Sequence, residues 1–183
     1  MESVFLESDL VSLSPLTVED YSESYLNWLN DEEVNRYSYR RYFPITKESL
    51  EKFLREISNH SDEVQFSIRR KKDLVHIGNI CLKSIHWQAR CAELGILIGD
   101  KSAWGRGFGT SAVGLIVKYG FLRLNLNRIE IGTFNPSAVK MFEKNQFQHE
   151  GVSRQKIYID GAYHDDIKMA VLAEDFFKKI KLR

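Results

Sequence analysis

Three glycines, at 105, 107 and 109, stand between an apolar run and an amphipathic stretch, and their spacing is suited to chemistry. The run Leu94, Ile96, Leu97, Ile98 suits a strand and breaks at Gly99-Asp100. Beyond the glycines, Val113, Ile116, Val117, Gly120, Phe121 and Leu124 recur at helical spacing,. Strand, glycine-rich turn and helix together can hold an anion. The N–H groups of a first helical turn lack partners and carry partial positive charge, and glycine lets a phosphate approach the backbone. Two phosphate-binding patterns fail. No Gly-Lys-Ser/Thr closes the loop, so it is no P-loop,. The dinucleotide fingerprint has Thr110 at its sixth position and no acidic residue standing out about 20 residues on,. The alternative to an anion site is a turn shaped only for packing a strand against a helix.

A second group is Arg36-Tyr37-Ser38-Tyr39-Arg40-Arg41-Tyr42-Phe43-Pro44. Tyrosine together with arginine suits a planar or anionic ligand. The plainer reading is a loop with packed rings and solvated arginines. As a ligand wall, its basic character argues against a polyamine. The histidines (60, 76, 86, 149, 164) and the two cysteines, Cys81 and Cys91, fit no metal-ligand spacing, so no metal is expected,.

The elements that must position these groups follow from periodicity. Residues 4–13 read as a first strand ended by Pro15. Thr17 reads as the N-cap of a helix running to about Leu29, with Tyr21, Tyr25, Trp28 and Leu29 on its apolar face, and Asn30–Val34 as a short second helix,. Thr46 caps a helix to about Ser58. Strands follow at 64–70, at 75–85 with Gly78 as a bulge or close approach, and at 90–99,. After the long helix, 127–133 is a strand. Asn135-Pro136 then gives an N-cap and a first helical residue. Asp160-Gly161, between alternating segments within 156–172, signals a hairpin, and a short helix closes the chain,. With 183 residues, 43% hydrophobic and 28% charged, the chain is expected to form one domain over 1–183,. A net charge of +1 gives no global case for nucleic acid or a membrane surface,. The start lacks the features of a signal peptide and no apolar run approaches a membrane span, so a cytoplasmic location with reduced thiols is expected,.

Several motifs, in this order, resemble the GNAT N-acetyltransferases. Gly107-Phe108-Gly109 fills the glycine part of the acyl-CoA loop, Gln/Arg-x-x-Gly-x-Gly/Ala, with Trp104 where the Gln or Arg often stands. A Trp-Gly-x-Gly-x-Gly/Ala version is similar to the branch holding the ribosomal-protein and spermidine acetyltransferases. Asn135 to Phe147 resembles the second hallmark, Asn-x-x-Ala-x-x-x-Tyr-x-Lys-x-Gly-Phe, with Phe142 for the Tyr and Gln146 for the Gly. Trp28-Leu29-Asn30-Asp31 and the tail from Glu150 to Met169 are similar to the ribosomal-protein branch. The resemblance spans nearly the whole chain, with its specific motifs between 92 and 170. It implies an α/β (α+β) fold: a mixed, mostly antiparallel sheet of six to seven strands flanked by helices, with splayed parallel strands forming the acyl-CoA cleft.

The resemblance also implies roles. Acetyl-CoA would bind along Leu94, Ile96 and Ile98, with its pyrophosphate on Trp104, Gly105, Arg106, Gly107, Phe108, Gly109 and Thr110, and with Asn135 and Phe142 beside the pantetheine arm. Backbone N–H groups of the strand would polarise the thioester carbonyl. Glu93, pointing opposite to Leu94 and Ile96, is the candidate general base, taking the amine proton through water; otherwise it is an edge glutamate paired with Arg90 or a neighbour. The usual general acid, a Tyr, is replaced by Phe142, leaving Tyr158, Tyr163, water or no acid at all. Trp28, Tyr37, Tyr39 and Arg40 would bind the acceptor, a small-molecule or peptide primary amine. The 36–43 segment tilts the choice toward an anionic acceptor such as an amino-sugar nucleotide. The competing reading is a GNAT-fold module that binds acyl-CoA with little catalysis. Edge strands in the terminal hairpin leave room for a homodimer.

Overall fold

Alternating apolar residues on eight short segments build one sheet, and the helices cover its two faces. The computed structural model describes residues 4–57 and 61–181. In chain order the elements are β1 (Leu6–Glu7), β2 (Val11–Pro15), α1 (Glu23–Asn30), α2 (Lys47–Glu56), β3 (Val64–Arg70), β4 (His76–His86) and β5 (Cys91–Ile98). They continue with α3 (Phe108–Leu122), β6 (Arg128–Thr133), α4 (Pro136–Lys144), β7 (Gln148–Ile159), β8 (Ala162–Leu172) and α5 (Ala173–Lys181). The strand order is β1-β2-β3-β4-β5-β6-β8-β7. Among these strands every pairing is antiparallel except β5 with β6. This is the mixed, mostly antiparallel sheet expected, with eight strands rather than six or seven.

The main core lies on one face. There Leu13, Ile68, Ile80, Leu82, Leu94 and Ile129 pack against Val113, Ile116 and Val117 of α3. The other face carries a smaller cluster, Tyr25 and Leu29 of α1 with Leu50 and Leu54 of α2. Gly120 lets α3 sit low on the sheet, since a Cβ there would stand 2.8 Å from Ile129.

Three expectations near the N-terminus need correction. The first strand is a tight hairpin, because Ser8 turns the chain: its N–H donates to the Val11 carbonyl (2.9 Å) and its hydroxyl accepts from Val11 N–H (3.1 Å). Thr17 caps only a 3-10 turn, Val18–Asp20. The Asp20 carboxylate folds back onto Thr17 N–H (2.8 Å) and pairs with Arg69 (2.6 Å), so the chain breaks and restarts at a second N-cap, Ser22,. The 32–37 stretch is a series of turns and not a helix. Ser58, the expected end of the Thr46-capped helix, lies outside the described residues. Gly78 is a close approach: a Cβ would sit 2.2 Å from the Leu97 carbonyl oxygen.

Helix α4 stops by a Schellman motif. Phe147 N–H donates to the Phe142 carbonyl (3.1 Å) and Gln146 N–H to that of Glu143 (3.0 Å), with the Phe142 and Phe147 rings 5.1 Å apart,. The motif needs a left-handed residue, and Gln146 supplies it at φ 71°. A side chain there is strained where glycine would not be. Gln146→Gly is therefore expected to stabilise the fold by about 1 kcal/mol, read as a higher urea midpoint at unchanged slope.

Candidate functional site

The parallel pairing of β5 and β6 lasts three residues. Cys91, Ala92 and Glu93 stand opposite Arg128, Ile129 and Glu130. Beyond that point β5 pairs only with β4, and β6 only with β8. The strands fork, and backbone groups of 94–98 face the gap without a neighbouring strand. On the α3 side of the fork Leu94 is fully buried, while Ile96 and Ile98 are partly buried beside Gly109. On the opposite, α1-facing side lie Glu93 and Gly95 of β5 with Glu130 and Gly132 of β6.

The glycine loop is tied to the end of β5. Asp100 caps a 3-10 turn, and the Trp104 indole N–H donates to the Ile98 carbonyl (2.8 Å). Gly105 (φ 72°) and Gly107 (φ 82°) take left-handed conformations,. Gly107 is the N-cap of α3 and offers no side chain to its amides. These first amides therefore keep their donors free and at the positive end of a 15-residue helix,. Arg106 is exposed, with no ion pair among the described residues. Phe108 is buried as the loop's anchor. At Gly109 a Cβ would approach Met141 Sδ to 2.9 Å, so α4 closes over the loop's far side. Asn145 fixes the same junction by donating to the Thr110 carbonyl (3.1 Å). Asn135 caps α4, its carbonyl oxygen accepting from Ser137 N–H (2.9 Å) and Ala138 N–H. Phe142 is 1% exposed, its ring claimed by the helix stop.

The acceptor-side residues divide. Tyr37 is exposed and meets Phe134 edge-on at 5.2 Å, and Phe134 in turn meets His164 at 5.3 Å. Tyr39 is exposed near Asp166; burial, then that carboxylate, raise its phenol. Trp28 packs over Gly99, where a Cβ would clash at 2.2 Å, and against His76, so it holds α1 on the sheet. The side chain of Arg40 lies outside the described residues. Tyr158 and Tyr163 meet at a tilt, ring centroids 5.0 Å apart, beside the hairpin turn. An open cleft of about 630 Å³ lies beside the 36–43 segment, lined by Asp31, Glu32, Glu33, Arg36, Arg41, Lys101 and Asp160. Arg41 pairs with Asp160 (3.0 Å) and Glu32 (3.5 Å), and Lys101 with Asp31 (2.9 Å) and Glu33 (2.7 Å). Of the segment's arginines, Arg41 is thus met by acids the segment does not contain, and the cleft beside it is lined by four acids and three bases.

Glu93 pairs with Lys83 (3.0 Å) across the β4–β5 ladder, not with Arg90. Sequence reasoning missed Glu130, which pairs with Arg128 (2.9 Å), itself bound to Glu150. It also missed Asp166. This carboxylate is 4% exposed and shares one oxygen between Lys156 (2.8 Å) and Lys168 (2.7 Å). Burial pushes its carboxyl up, and the two lysines outweigh that and leave it below the ordinary range. Gly132 makes room: a Cβ there would stand 2.7 Å from Asp166 and 2.8 Å from Lys168 Nζ. The signal was a lone aspartate on the polar face of an alternating strand, but only the register shows what it meets.

Residues 11–148 match the model of the Acetyltransferase (GNAT) domain. The probable N-acetyltransferase YjcK of Bacillus subtilis is 30% identical over 182 residues, covering 93% of this chain and 98% of that protein. The spermidine N(1)-acetyltransferase of Vibrio cholerae is 27% identical, covering 91% of this chain and 98% of its own. The crystal structure of spermidine N-acetyltransferase from Vibrio cholerae in complex with CoA and spermine superposes with a TM-score of 0.82 at 25% identity, over 93% of this chain and 99% of that one. The chain therefore belongs to the GNAT acetyltransferase family. It is an N-acetyltransferase that uses acetyl-CoA and an amine. No helix among the described residues is long and apolar enough to cross a membrane, and no cluster among them could hold a metal.

Asp166→Asn removes the charge that two lysines share in a buried place, and should cost about 1–3 kcal/mol of stability at neutral pH. Because the folded carboxyl is depressed, its contribution is complete above the unfolded value of about 4 and fades as pH falls through the folded one. Urea unfolding of both proteins across that range should show the gap closing on the acid side.

Proposed function

We propose that the acetyl group passes directly to the amine in a ternary complex, with Glu93 as base and the 104–110 loop as the seat of the CoA pyrophosphate. The observation that carries this is the fork itself: the paired strands diverge immediately after Glu93, beside the open amides of α3. When bound, acetyl-CoA supplies an activated thioester. The loop and the apolar side chains of Ile96 and Ile98 hold the donor on the α3 side, and the free backbone of 94–98 offers hydrogen bonds to its pantetheine arm and thioester carbonyl. Asn135, with its carbonyl oxygen engaged in capping, keeps its amide N–H groups for the same arm. Glu93, facing the α1 side with its side chain 43% exposed, receives the amine proton directly or through one water,. The ion pair with Lys83 fixes where that carboxylate points.

Phe142 provides no proton for the departing thiolate. A thiolate is a good enough leaving group for water to suffice. The acceptor, a small-molecule or peptide primary amine, enters between α1 and the β6–β8 face, passing Tyr37 and Tyr39. One relative, the putative ribosomal N-acetyltransferase YdaF of Bacillus subtilis, is 29% identical over 109 residues, covering 56% of this chain and 59% of its own. It keeps the ribosomal-protein branch, and with it a protein N-terminus, among the acceptors to test. A homodimer belongs to the same proposal. β7 ends the sheet with its outer edge unpaired among the described residues, which a second copy can use,, and one Vibrio cholerae relative is described as dodecameric.

Calorimetric titration with acetyl-CoA should give saturable binding that Gly107→Trp abolishes. Saturable binding untouched by that change would place the donor elsewhere. Glu93→Gln should leave acetyl-CoA binding intact while lowering kcat by about 10²–10⁴ and removing the acidic limb of the pH–rate profile. A variant within about threefold of the parent would exclude Glu93 as the base.

A further inference from the structure

The α1-facing side of the fork holds an ion cluster larger than its own stability calls for. Asp166 is buried and needs one cation. It has two, Lys156 from β7 and Lys168 from its own strand, both on the single oxygen Oδ2. That arrangement brings two ammonium groups close enough to repel and leaves one positive charge in excess within these three groups. Each ammonium has three N–H groups and gives one to Asp166. The lysine side chains remain 47% and 40% exposed, so the cluster is open to solvent on its outer side.

The cluster lies directly over Gly132, where any side chain would push Asp166 and Lys168 away. Gly132 is two residues beyond Glu130, the partner of Glu93 in the parallel ladder. The spare charge thus stands one pleat along β6, about 7 Å of strand rise, beyond the position level with Glu93,. Between them the floor is glycine on both strands, Gly95 and Gly132. Tyr37, Phe134 and His164 form a row of rings along the same side, and Tyr39 stands by Asp166.

We propose that Lys156 and Lys168, held in place by Asp166, form an anion subsite for the acceptor. It selects primary amines that carry a carboxylate or phosphate about 7 Å from the reacting nitrogen. This rests on the acetyl-transfer reading above and names the acceptor's chemical class. The spacing excludes free α-amino acids, whose two charges are too close together. A polyamine would bring an ammonium to the place where the protein already has a surplus one.

The test compares three acceptors of equal length: 5-aminopentanoate, 1,5-diaminopentane and pentylamine. Each is assayed by CoA release with the parent, Lys156→Gln and Lys168→Gln. Either substitution leaves Asp166 one lysine, which keeps the buried charge paired. The parent should favour 5-aminopentanoate over the diamine by roughly tenfold or more in kcat/KM, and each variant should lose that preference through KM. Equal use of the two, a preference for the diamine, or a preference that survives both substitutions would overturn the subsite while leaving acetyl transfer intact.

If none of the three turns over, inorganic phosphate decides, titrated with CoA present to fill the glycine loop. Saturable phosphate binding lost in the Lys156→Gln/Lys168→Gln double variant supports the subsite, and its absence from the parent overturns it. Failure of acetyl-CoA to bind would instead count against the underlying reading, and phosphate alone would then be titrated.

Discussion

Everything in the site depends on a parallel pairing that stops after three residues. β5 and β6 are joined by a parallel crossover, with α3 lying between them in sequence and over them in space. Each strand belongs mainly to another partner: β5 follows β4 from Glu93 to Ile98, and β6 follows β8 from Arg128 to Thr133. Two antiparallel sets with their own twist cannot stay in contact along their full length. They separate where the crossover's short ladder ends. The separation leaves backbone groups unpaired inside a folded protein, a costly state unless something fills the gap. The same geometry brings the N-terminus of α3 to that gap, because the helix starts where β5 stops.

The two helix ends beside the gap are treated in opposite ways. α3 begins at glycines that leave its first amides open, and α4 is closed at both ends, by Asn135 and by the Schellman stop at Gln146. The closure explains Phe142. Where the family pattern has a Tyr, this chain has a ring fully used in packing on Phe147. A strained, non-glycine residue at 146 makes the hydrophobic half of that stop more important. So the position serves helix termination here, and it offers no hydroxyl to a departing thiolate.

Much of this was legible in the sequence because it is local. Period-2 alternation placed the strands at 64–70 and 127–133, and Asn135-Pro136 and Asp160-Gly161 gave a cap and a turn by their own chemistry. Errors arose where a distant group intervenes. Thr17 looked like the start of a long helix, and Arg69, far along the chain on β3, draws Asp20 into a shorter turn. Glu93 was visible as a carboxylate on a strand, whereas its partner Lys83 and its neighbour Glu130 are set by register. Asp166 shows in the sequence only as a polar residue of an alternating strand, which gives no sign of what the strand beside it presents.

Charge shows the same limit most sharply. Read alone, 36–43 is a basic, aromatic segment, and its sign argued against a cationic ligand. In the fold, Arg41 of the segment is matched by Asp160 and Glu32, and the cleft it lines also holds Asp31 and Glu33 with Lys101, so the segment's own sign is not the sign a ligand meets there. A cluster with one positive charge in excess does exist, on β7 and β8, where the sequence shows an unremarkable mixture of lysine and aspartate. The quantity a ligand meets is the charge left over after ion pairing, and pairing is a property of the register. The three ionic groups at Gly132 carry one positive charge in excess, whereas the more conspicuous arginine segment meets acids at Arg41. In the proposed anion subsite the small residue at 132, which admits the cluster, therefore matters as much as the lysines themselves.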